Sequence, residues 1–345
     1  MKLLVCALEA SANLHLKEVL AHMEDVELYG IFDRNLGFEP LYDSSEFGIM
    51  GIIEAVRIYK KAKRALKETA RLAHECDAVL LIDSPAFNLP MAKELRQTGF
   101  EKTITYYVLP QVWAWKKKRV AKVEKYCDNL LAILPFEEQF WNKAQFVGNP
   151  LVDEIKRVKT EWHDDGPVAF LPGSRRAEIA ALMPVYREVA KSIPGPKLLS
   201  VPEMYRERDL AELYGDTSGF AIRYDTHAVL NEASFAFICS GTATLEATII
   251  ATPFTLVYKA KAFDYFIGRM LVRLPYVGLA NLIRYFAKEE PLHPEFLQTD
   301  VTVENLLKSY REYDRAKFID NAVQLRQILK AKQGASANVA QIIKG

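Results

Sequence analysis

Residues 238–247 read ICSGTATLEA, an apolar run that breaks at Ser-Gly-Thr and continues as a helical pattern carrying Glu246. Such a run is typical of a strand buried on both faces of a parallel sheet. The small hydroxyl residues stand where the strand ends and a helix begins. In sheets of this kind ligands bind at the carboxyl ends of the strands, so this stretch predicts both a fold class and a binding site.

Two series of apolar runs alternate with helical patterns along the chain. The first series is KLLVCAL (2–8), VELYGIF (26–32), AVLLID (78–83), TITYYVL (103–109) and LLAILP (130–135). The second is VAFLPGS (168–174), KLLSVP (197–202), FAIRYD (220–225), SFAFICSG (234–241) and FTLVYKA (254–260). This alternation predicts an α/β protein with two doubly wound Rossmann-like domains facing a cleft.

A length of 345 residues also favours two domains. Residues 156–167, KRVKTEWHDDGP, are polar and end in Gly-Pro, as expected of a linker. We therefore expect one domain over residues 1–160 and a second over residues 166–317. The tail from residue 303 predicts one or two helices, with the segment from about 318 to 345 packing back on the first domain.

The composition excludes several classes of protein. The 45 basic and 44 acidic residues leave no global field for nucleic acid. The four cysteines lack the spacing of a zinc site or a disulfide framework, so a reducing cytoplasm is expected. The first residues do not have the pattern of a signal peptide, and no apolar run reaches the length of a spanning helix.

Two strand ends have the chemistry of a nucleotide diphosphate site. LPGSRRAEI (171–179) opens a helix beside Arg175, and helix starts and arginine both bind phosphate. Glu246 stands one turn into the other helix, where its carboxylate can accept from a ribose diol. Taken singly, each is also explained by an ordinary helix start with solvated side chains. A serine hydrolase using Ser240 ranks lower, because the first glycine of G-x-S-x-G is missing.

Two stretches of the first half carry residues that could serve catalysis or ligand binding. In LLIDSPAFN (80–88), Asp83 ends a strand and is a candidate general base, although an Asx-turn is the favoured explanation when the residue is taken alone. YYVLPQVWAWKKKRV (106–120) joins aromatic residues to a basic cluster. That combination favours an amphiphilic, phosphorylated ligand, and its alternative is a packed loop leading into a solvated helix.

Two basic amphipathic stretches, residues 47–72 and 264–283, favour contact with an anionic membrane surface. Either is also compatible with a helix that faces the core on one side and solvent on the other.

Ten short motifs are spread along nearly the whole chain: LEASAN (8–13), IMGIIEAV (49–56), IDSPAFN (82–88), YYVLPQVWAW (106–115), ILPFEEQF (133–140), VGNPLVD (147–153), LPGSRRAEI (171–179), SGTATLE (240–246), YVGLANLI (276–283) and HPEFLQ (293–298). Through these motifs the chain resembles the bacterial lipid-A-disaccharide synthases, which are GT-B glycosyltransferases. Each motif is weak alone, but their order and spacing are specific. Some positions depart from the family pattern: Ala86 replaces a second aspartate, and His293 replaces a valine.

The resemblance implies an inverting transfer of 2,3-diacylglucosamine from its UDP derivative to 2,3-diacylglucosamine 1-phosphate (lipid X), giving the β-1,6 disaccharide 1-phosphate and UDP. It implies that Asp83 is the base and that Arg175 neutralises the departing UDP. The nucleotide-sugar side is assigned to Ser174, Ser240, Gly241, Thr242, Glu246, Asn281, Glu295 and Gln298. The acceptor or lipid side is assigned to Glu9, Ser11, Asn88, Trp113 and Met50.

The resemblance also implies a homodimer, with C-terminal segments exchanged, on the cytoplasmic face of the inner membrane. We expect no cofactor and, because no DxD-type acidic motif occurs, activity without added metal. Two alternatives remain open: another UDP-sugar enzyme of this fold, such as a UDP-N-acetylglucosamine 2-epimerase, and a nucleotide-sugar-binding module without catalysis.

Overall fold

The computed structural model describes residues 1–47, 52–114, 117–161, 165–259 and 274–345, and of residues 52–59 it describes only the backbone. The described chain divides into two compact units. The first unit contains Met1–Glu154 together with Leu329–Gly345, and the second contains Ile155–Ile328.

The first unit is built on a seven-stranded sheet in the order β3-β2-β1-β4-β5-β6-β7, and every paired strand in it is parallel. Its strands are β1 (Lys2–Ala7), β2 (Glu27–Phe32), β3 (Tyr42–Asp43), β4 (Ala78–Ile82), β5 (Ile104–Tyr107), β6 (Asn129–Ala132) and β7 (Ala144–Phe146). Its helices are α1 (Ala10–Leu20), α2 (Ile52–Ala73), α3 (Pro85–Gln97), α4 (Arg119–Tyr126) and α5 (Pro150–Glu154). Short 3-10 turns cover Arg34–Leu36, Ser44–Phe47 and Glu137–Phe140.

The second unit is built on a six-stranded parallel sheet in the order β10-β9-β8-β11-β12-β13. Its strands are β8 (Val168–Leu171), β9 (Lys197–Ser200), β10 (Ala221–Arg223), β11 (Phe235–Cys239), β12 (Phe254–Tyr258) and β13 (Glu295–Leu297). Its helices are α6 (Arg176–Ser192), α7 (Leu210–Tyr214), α8 (Thr226–Glu232), α9 (Thr242–Ile250), α10 (Leu279–Phe286), α11 (Val303–Glu312) and α12 (Arg315–Lys330). The 3-10 turns are Glu203–Tyr205 and Gln298–Asp300, and α13 (Ala335–Lys344) follows in the first unit.

Both faces of the first sheet are covered, which explains its uninterrupted apolar strands. Alternate residues of β1 belong to different buried clusters: Leu4 and Cys6 to one, Leu3 and Val5 to the other. Side chains of α13, among them Val339, complete the second cluster. Because successive strand residues point to opposite faces, both sets must be apolar. This arrangement confirms the predicted fold class of two Rossmann-like sheets.

Three edge strands escaped the sequence prediction, namely β3, β7 and β13. They are two or three residues long and only partly buried, so they lack the apolar runs of the central strands. The prediction of one or two helices after residue 303 was also wrong, because Tyr313 and the turn before Ala335 divide the tail into three.

Helix α2 carries part of the first basic stretch. Ala65, Ala70 and Ala73 are buried against the first unit, while Lys60 and Lys67 are exposed. The second basic stretch, residues 264–283, is described only from residue 274, so Arg269 and Arg273 lie outside the described residues. Among the helices that are described, none has the length and apolarity needed to cross a lipid bilayer.

Candidate active site

Two loops of the second unit lie side by side because their strands are neighbours. Strand β8 pairs with β11 in parallel register, with Leu171 beside Ile238. The loop after β8 leads into α6, and the loop after β11 leads into α9. Together they line a cavity of about 400 Å³. Its wall contains the predicted catalytic residue Arg175 and five of the predicted nucleotide-side residues: Ser174, Ser240, Gly241, Thr242 and Glu246.

Each of the two loops contains a glycine, but the two glycines have different roles. Gly173 has φ +94°, and a Cβ there would lie 2.6 Å from Glu178 Oε2 and 3.1 Å from Cys239 Sγ. Gly241 is different, because its backbone is extended and a Cβ would meet no atom of the described residues within 4 Å. Residue 173 must therefore be glycine for the loop after β8 to fold, because any side chain there would clash with neighbouring residues. Gly241 leaves open space in front of the N-terminus of α9, whose first N–H groups have no partner within the helix.

Arg175 is held at the rim of this cavity by a residue that sequence reasoning missed. Glu178 Oε1 accepts from Arg175 Nη1 at 2.9 Å, and Glu178 Oε2 accepts from the Arg175 backbone N–H at 3.4 Å. The Glu178 side chain is only 10 % exposed, whereas that of Arg175 is 79 % exposed. The signal was present in the sequence, since a glutamate at the third position of a helix caps its start.

Glu246 also has a partner that the sequence analysis did not pair with it. His227 Nε2 lies 3.3 Å from Glu246 Oε2, and the glutamate side chain is mostly buried. Ser200 Oγ and Thr226 Oγ1, which also line the cavity, are 3.2 Å apart. The wall thus offers an exposed guanidinium, a held carboxylate and several hydroxyl groups. This set matches a ligand that has both anionic and hydroxyl groups.

The remaining nucleotide-side predictions form a separate cluster within the second unit. Asn281 is fully buried; its Oδ1 accepts from Leu292 N at 2.7 Å, and its Nδ2 donates to Glu295 Oε1 at 2.8 Å. Glu295 also accepts from the N–H groups of Val277 and Gly278, and burial raises its pKa.

Gln298 follows at the end of β13 in a left-handed conformation, with φ +54°. None of these three predicted residues lines the described cavity. Asn281 and Glu295 hold the loop that precedes α10.

In the first unit, Asp83 lies at the end of β4 in a left-handed conformation, with φ +50°, and Ser84 follows with φ +40°. The Asp83 carbonyl accepts from Tyr106 Oη at 2.6 Å and from Asn88 Nδ2 at 2.9 Å. Asn88 is fully buried, so its amide shapes this turn. The Asp83 carboxyl is half-buried, and burial, followed by the charge of Glu9, raises its pKa.

The other acceptor-side predictions are dispersed. Ser11 is exposed in the first turn of α1. Trp113 is buried, and its Nε1 donates to Glu137 Oε1 at 3.1 Å. Burial raises the pKa of Glu137 to about 7. Met50 lies outside the described residues. Among those residues, no cluster of His, Cys, Asp and Glu could hold a metal ion.

Comparison with known structures identifies the type of fold. The chain matches UDP-GlcNAc 2-epimerase from Neisseria meningitidis bound to UDP-GlcNAc with a TM-score of 0.61 at 10 % identity, covering 100 % of this chain and 98 % of that one. It matches Acinetobacter baumannii MurG with a TM-score of 0.58 at 15 % identity, covering 99 % and 98 %. At such identities these likenesses establish the GT-B fold alone.

Comparison of sequences separates the alternatives. A family profile described as lipid-A-disaccharide synthetase matches residues 3–343. Lipid-A-disaccharide synthase of Campylobacter jejuni strain RM1221 is 48 % identical over 361 residues, covering 99 % of this chain and 98 % of that protein. The Helicobacter pylori strain G27 synthase is 45 % identical over 353 residues, covering 98 % and 96 %. These relatives support the synthase prediction and not the epimerase alternative. The chain belongs to the lipid-A-disaccharide synthase family and is a glycosyltransferase.

Proposed function

We propose that this protein transfers 2,3-diacylglucosamine from UDP-2,3-diacylglucosamine to the 6-hydroxyl of 2,3-diacylglucosamine 1-phosphate. The observation that carries the proposal is the cavity of the second unit, where Arg175 and the start of α9 stand in one wall with Glu246. A nucleoside diphosphate has the complementary groups: phosphates for the guanidinium and helix start, and a ribose for the carboxylate.

The reaction is a single displacement with inversion. The acceptor oxygen forms its bond to the anomeric carbon while the bond from that carbon to the UDP oxygen breaks. The acceptor proton passes to Asp83, whose raised pKa makes it a stronger base than an exposed aspartate. The negative charge that develops on UDP is met by Arg175 and by the N–H groups at Ser240, Gly241 and Thr242.

The other predicted residues are divided between the nucleotide side and the acceptor side of the proposed reaction. Ser174 extends the phosphate side, and Asn281, Glu295 and Gln298 support the nucleotide side through the loop before α10. Glu9, Ser11 and Trp113 belong to the acceptor side, with Asn88 shaping the Asp83 turn. Since charge is supplied by Arg175 and helix starts, we expect activity in EDTA.

The test is product identification with wild type and Asp83→Asn. Asparagine tolerates the left-handed backbone of residue 83, so the variant should fold. We expect mass spectrometry to detect the disaccharide 1-phosphate with wild type only, while UDP affinity is unchanged in the variant. Normal turnover by Asp83→Asn would remove it from the mechanism.

We also propose that the protein associates peripherally with the cytoplasmic face of the inner membrane, through basic residues of α2 such as Lys60, Lys63 and Lys67. Flotation with anionic vesicles, compared with a variant carrying glutamine at these lysines, tests it. We propose that the protein is a homodimer in which α13 of the partner would take the place of the chain's own α13. Sedimentation equilibrium tests whether the protein is a dimer.

A further inference from the structure

His227 is placed opposite Glu246 by the start of α8. Asp225 Oδ1 accepts from Ala228 N at 3.0 Å, which caps this helix and sets His227 in its first turn. Helix α8 packs beside α9, the helix that carries Glu246. Nε2 of His227 thereby comes within 3.3 Å of Glu246 Oε2.

This contact orients one oxygen of the carboxylate and leaves the other available. Glu246 Oε2 is the oxygen that faces His227 Nε2 at 3.3 Å, and no hydrogen bond to Oε1 occurs among the residues that the structure describes. A glutamate side chain that is not held rotates about three bonds, and ordering it on ligand binding costs free energy. The imidazole removes much of that cost in advance.

Charge decides which part of a nucleotide meets this carboxylate. Phosphate oxygens are repelled by it and attracted by Arg175, which lines the same cavity. A vicinal diol is attracted, because each hydroxyl can donate to a carboxylate oxygen. The neighbouring hydroxyl groups of Ser200 and Thr226 make this part of the wall polar as well.

We propose that His227 is a positioning residue that holds Glu246 for the two ribose hydroxyls, so that the site selects ribonucleotides over 2′-deoxyribonucleotides. The inference rests on the proposed function and extends it from nucleotide binding to sugar discrimination. His227 acts through Glu246 and needs no contact with the ligand itself.

The test is calorimetric titration of wild type, His227→Ala, His227→Gln and Glu246→Gln with UDP and with 2′-deoxy-UDP. We expect wild type to favour UDP by about tenfold or more, since a hydroxyl donating to a charged group is lost in the deoxy ligand. His227→Ala should reduce this preference to about threefold or less, chiefly by weakening UDP binding. Glutamine at 227 can still donate to Glu246 and should keep most of the preference. His22→Ala, which removes an exposed histidine of the first unit, is the matched control.

The outcomes separate the two claims. If wild type binds neither nucleotide, the proposed function fails. If wild type prefers UDP and His227→Ala keeps the same ratio, the proposed function stands and the role of His227 is refuted. An equal loss of both affinities in His227→Ala would also refute it, because a purely structural role predicts that result. Equal binding of the two nucleotides by wild type would refute discrimination itself.

Discussion

The Ser84 hydroxyl donates to Glu9 Oε1 at 3.1 Å, joining the turn after β4 to the start of α1. This bond brings a second carboxylate close to Asp83, the neighbour of Ser84. Burial and the Glu9 charge act in the same direction on Asp83, since both disfavour its ionised form and raise its pKa. The pKa of the proposed base, Asp83, therefore depends on Glu9, which follows a different strand, β1.

The pH profile of turnover tests this coupling. A base works only when deprotonated, so kcat/KM should fall as the pH drops through the pKa of Asp83. Glu9→Gln removes the charge and keeps an oxygen for Ser84, so the acidic limb of the profile should move to lower pH. Glu39→Gln is the control, because Glu39 is an exposed glutamate of the same unit. An unmoved limb in Glu9→Gln would show that the two carboxyls are not coupled.

Adjacent arginines provide a matched test of phosphate binding. Arg175 lines the cavity, whereas Arg176 lies outside its lining and is within 3.7 Å of Glu212. Arg175→Ala should weaken UDP binding by about 10- to 100-fold, the range for a lost hydrogen bond to a charged group. Arg176→Ala should change it by less than about threefold. Equal effects measured by calorimetry would mean that general charge, rather than Arg175, binds the phosphates.

Two glycines should give opposite results when replaced by alanine. Gly173→Ala forces a left-handed alanine and a Cβ 2.6 Å from Glu178 Oε2, so unfolding free energy should fall by at least about 2 kcal/mol. The Cβ of Gly241→Ala meets no atom in the part of the chain that the structure describes, so its cost should stay under about 1 kcal/mol while UDP binding weakens. Thermal unfolding and UDP titration of both variants check this. A stable Gly173→Ala protein would contradict the described loop.

His293 predicts a stability change with pH. Burial lowers its pKa from 6.5 to about 4, and its ring lies 4.3 Å from that of Phe254. Between these values the unfolded chain binds a proton that the folded chain does not, so stability is complete above pH 6.5 and falls toward pH 4. The loss attributable to this residue should reach about 3 kcal/mol. Denaturant unfolding at several pH values should show that loss in wild type and not in His293→Val. If the free energy of unfolding changed with pH in the same way in wild type and in His293→Val, the imidazole of His293 would not be buried in its neutral form.

The central strands were predictable because parallel strands with both faces covered are apolar at every position. β4 and β11 are buried throughout and could be recognised by this alone. Strand β13 could not, since its Glu295 and Leu297 are only partly buried and pair along one edge. A three-residue edge strand carries too few side chains to establish a period.

The candidate site was predictable where chemistry follows directly from a strand end. Arg175 follows β8 and Glu246 lies near the start of the helix that follows the neighbouring strand β11, so the topology alone brings them to one cavity. The pairing of Glu246 with His227 depends on how α8 packs against α9, which no local pattern encodes. The inward direction of Asn281 depends likewise on the loop that it binds.

The most direct test of the central claim is UDP release from UDP-2,3-diacylglucosamine by the purified protein, with and without 2,3-diacylglucosamine 1-phosphate. We predict release that requires the acceptor and is abolished in Asp83→Asn. Release at the same rate without the acceptor, or none when both substrates are present, would contradict the proposed transfer.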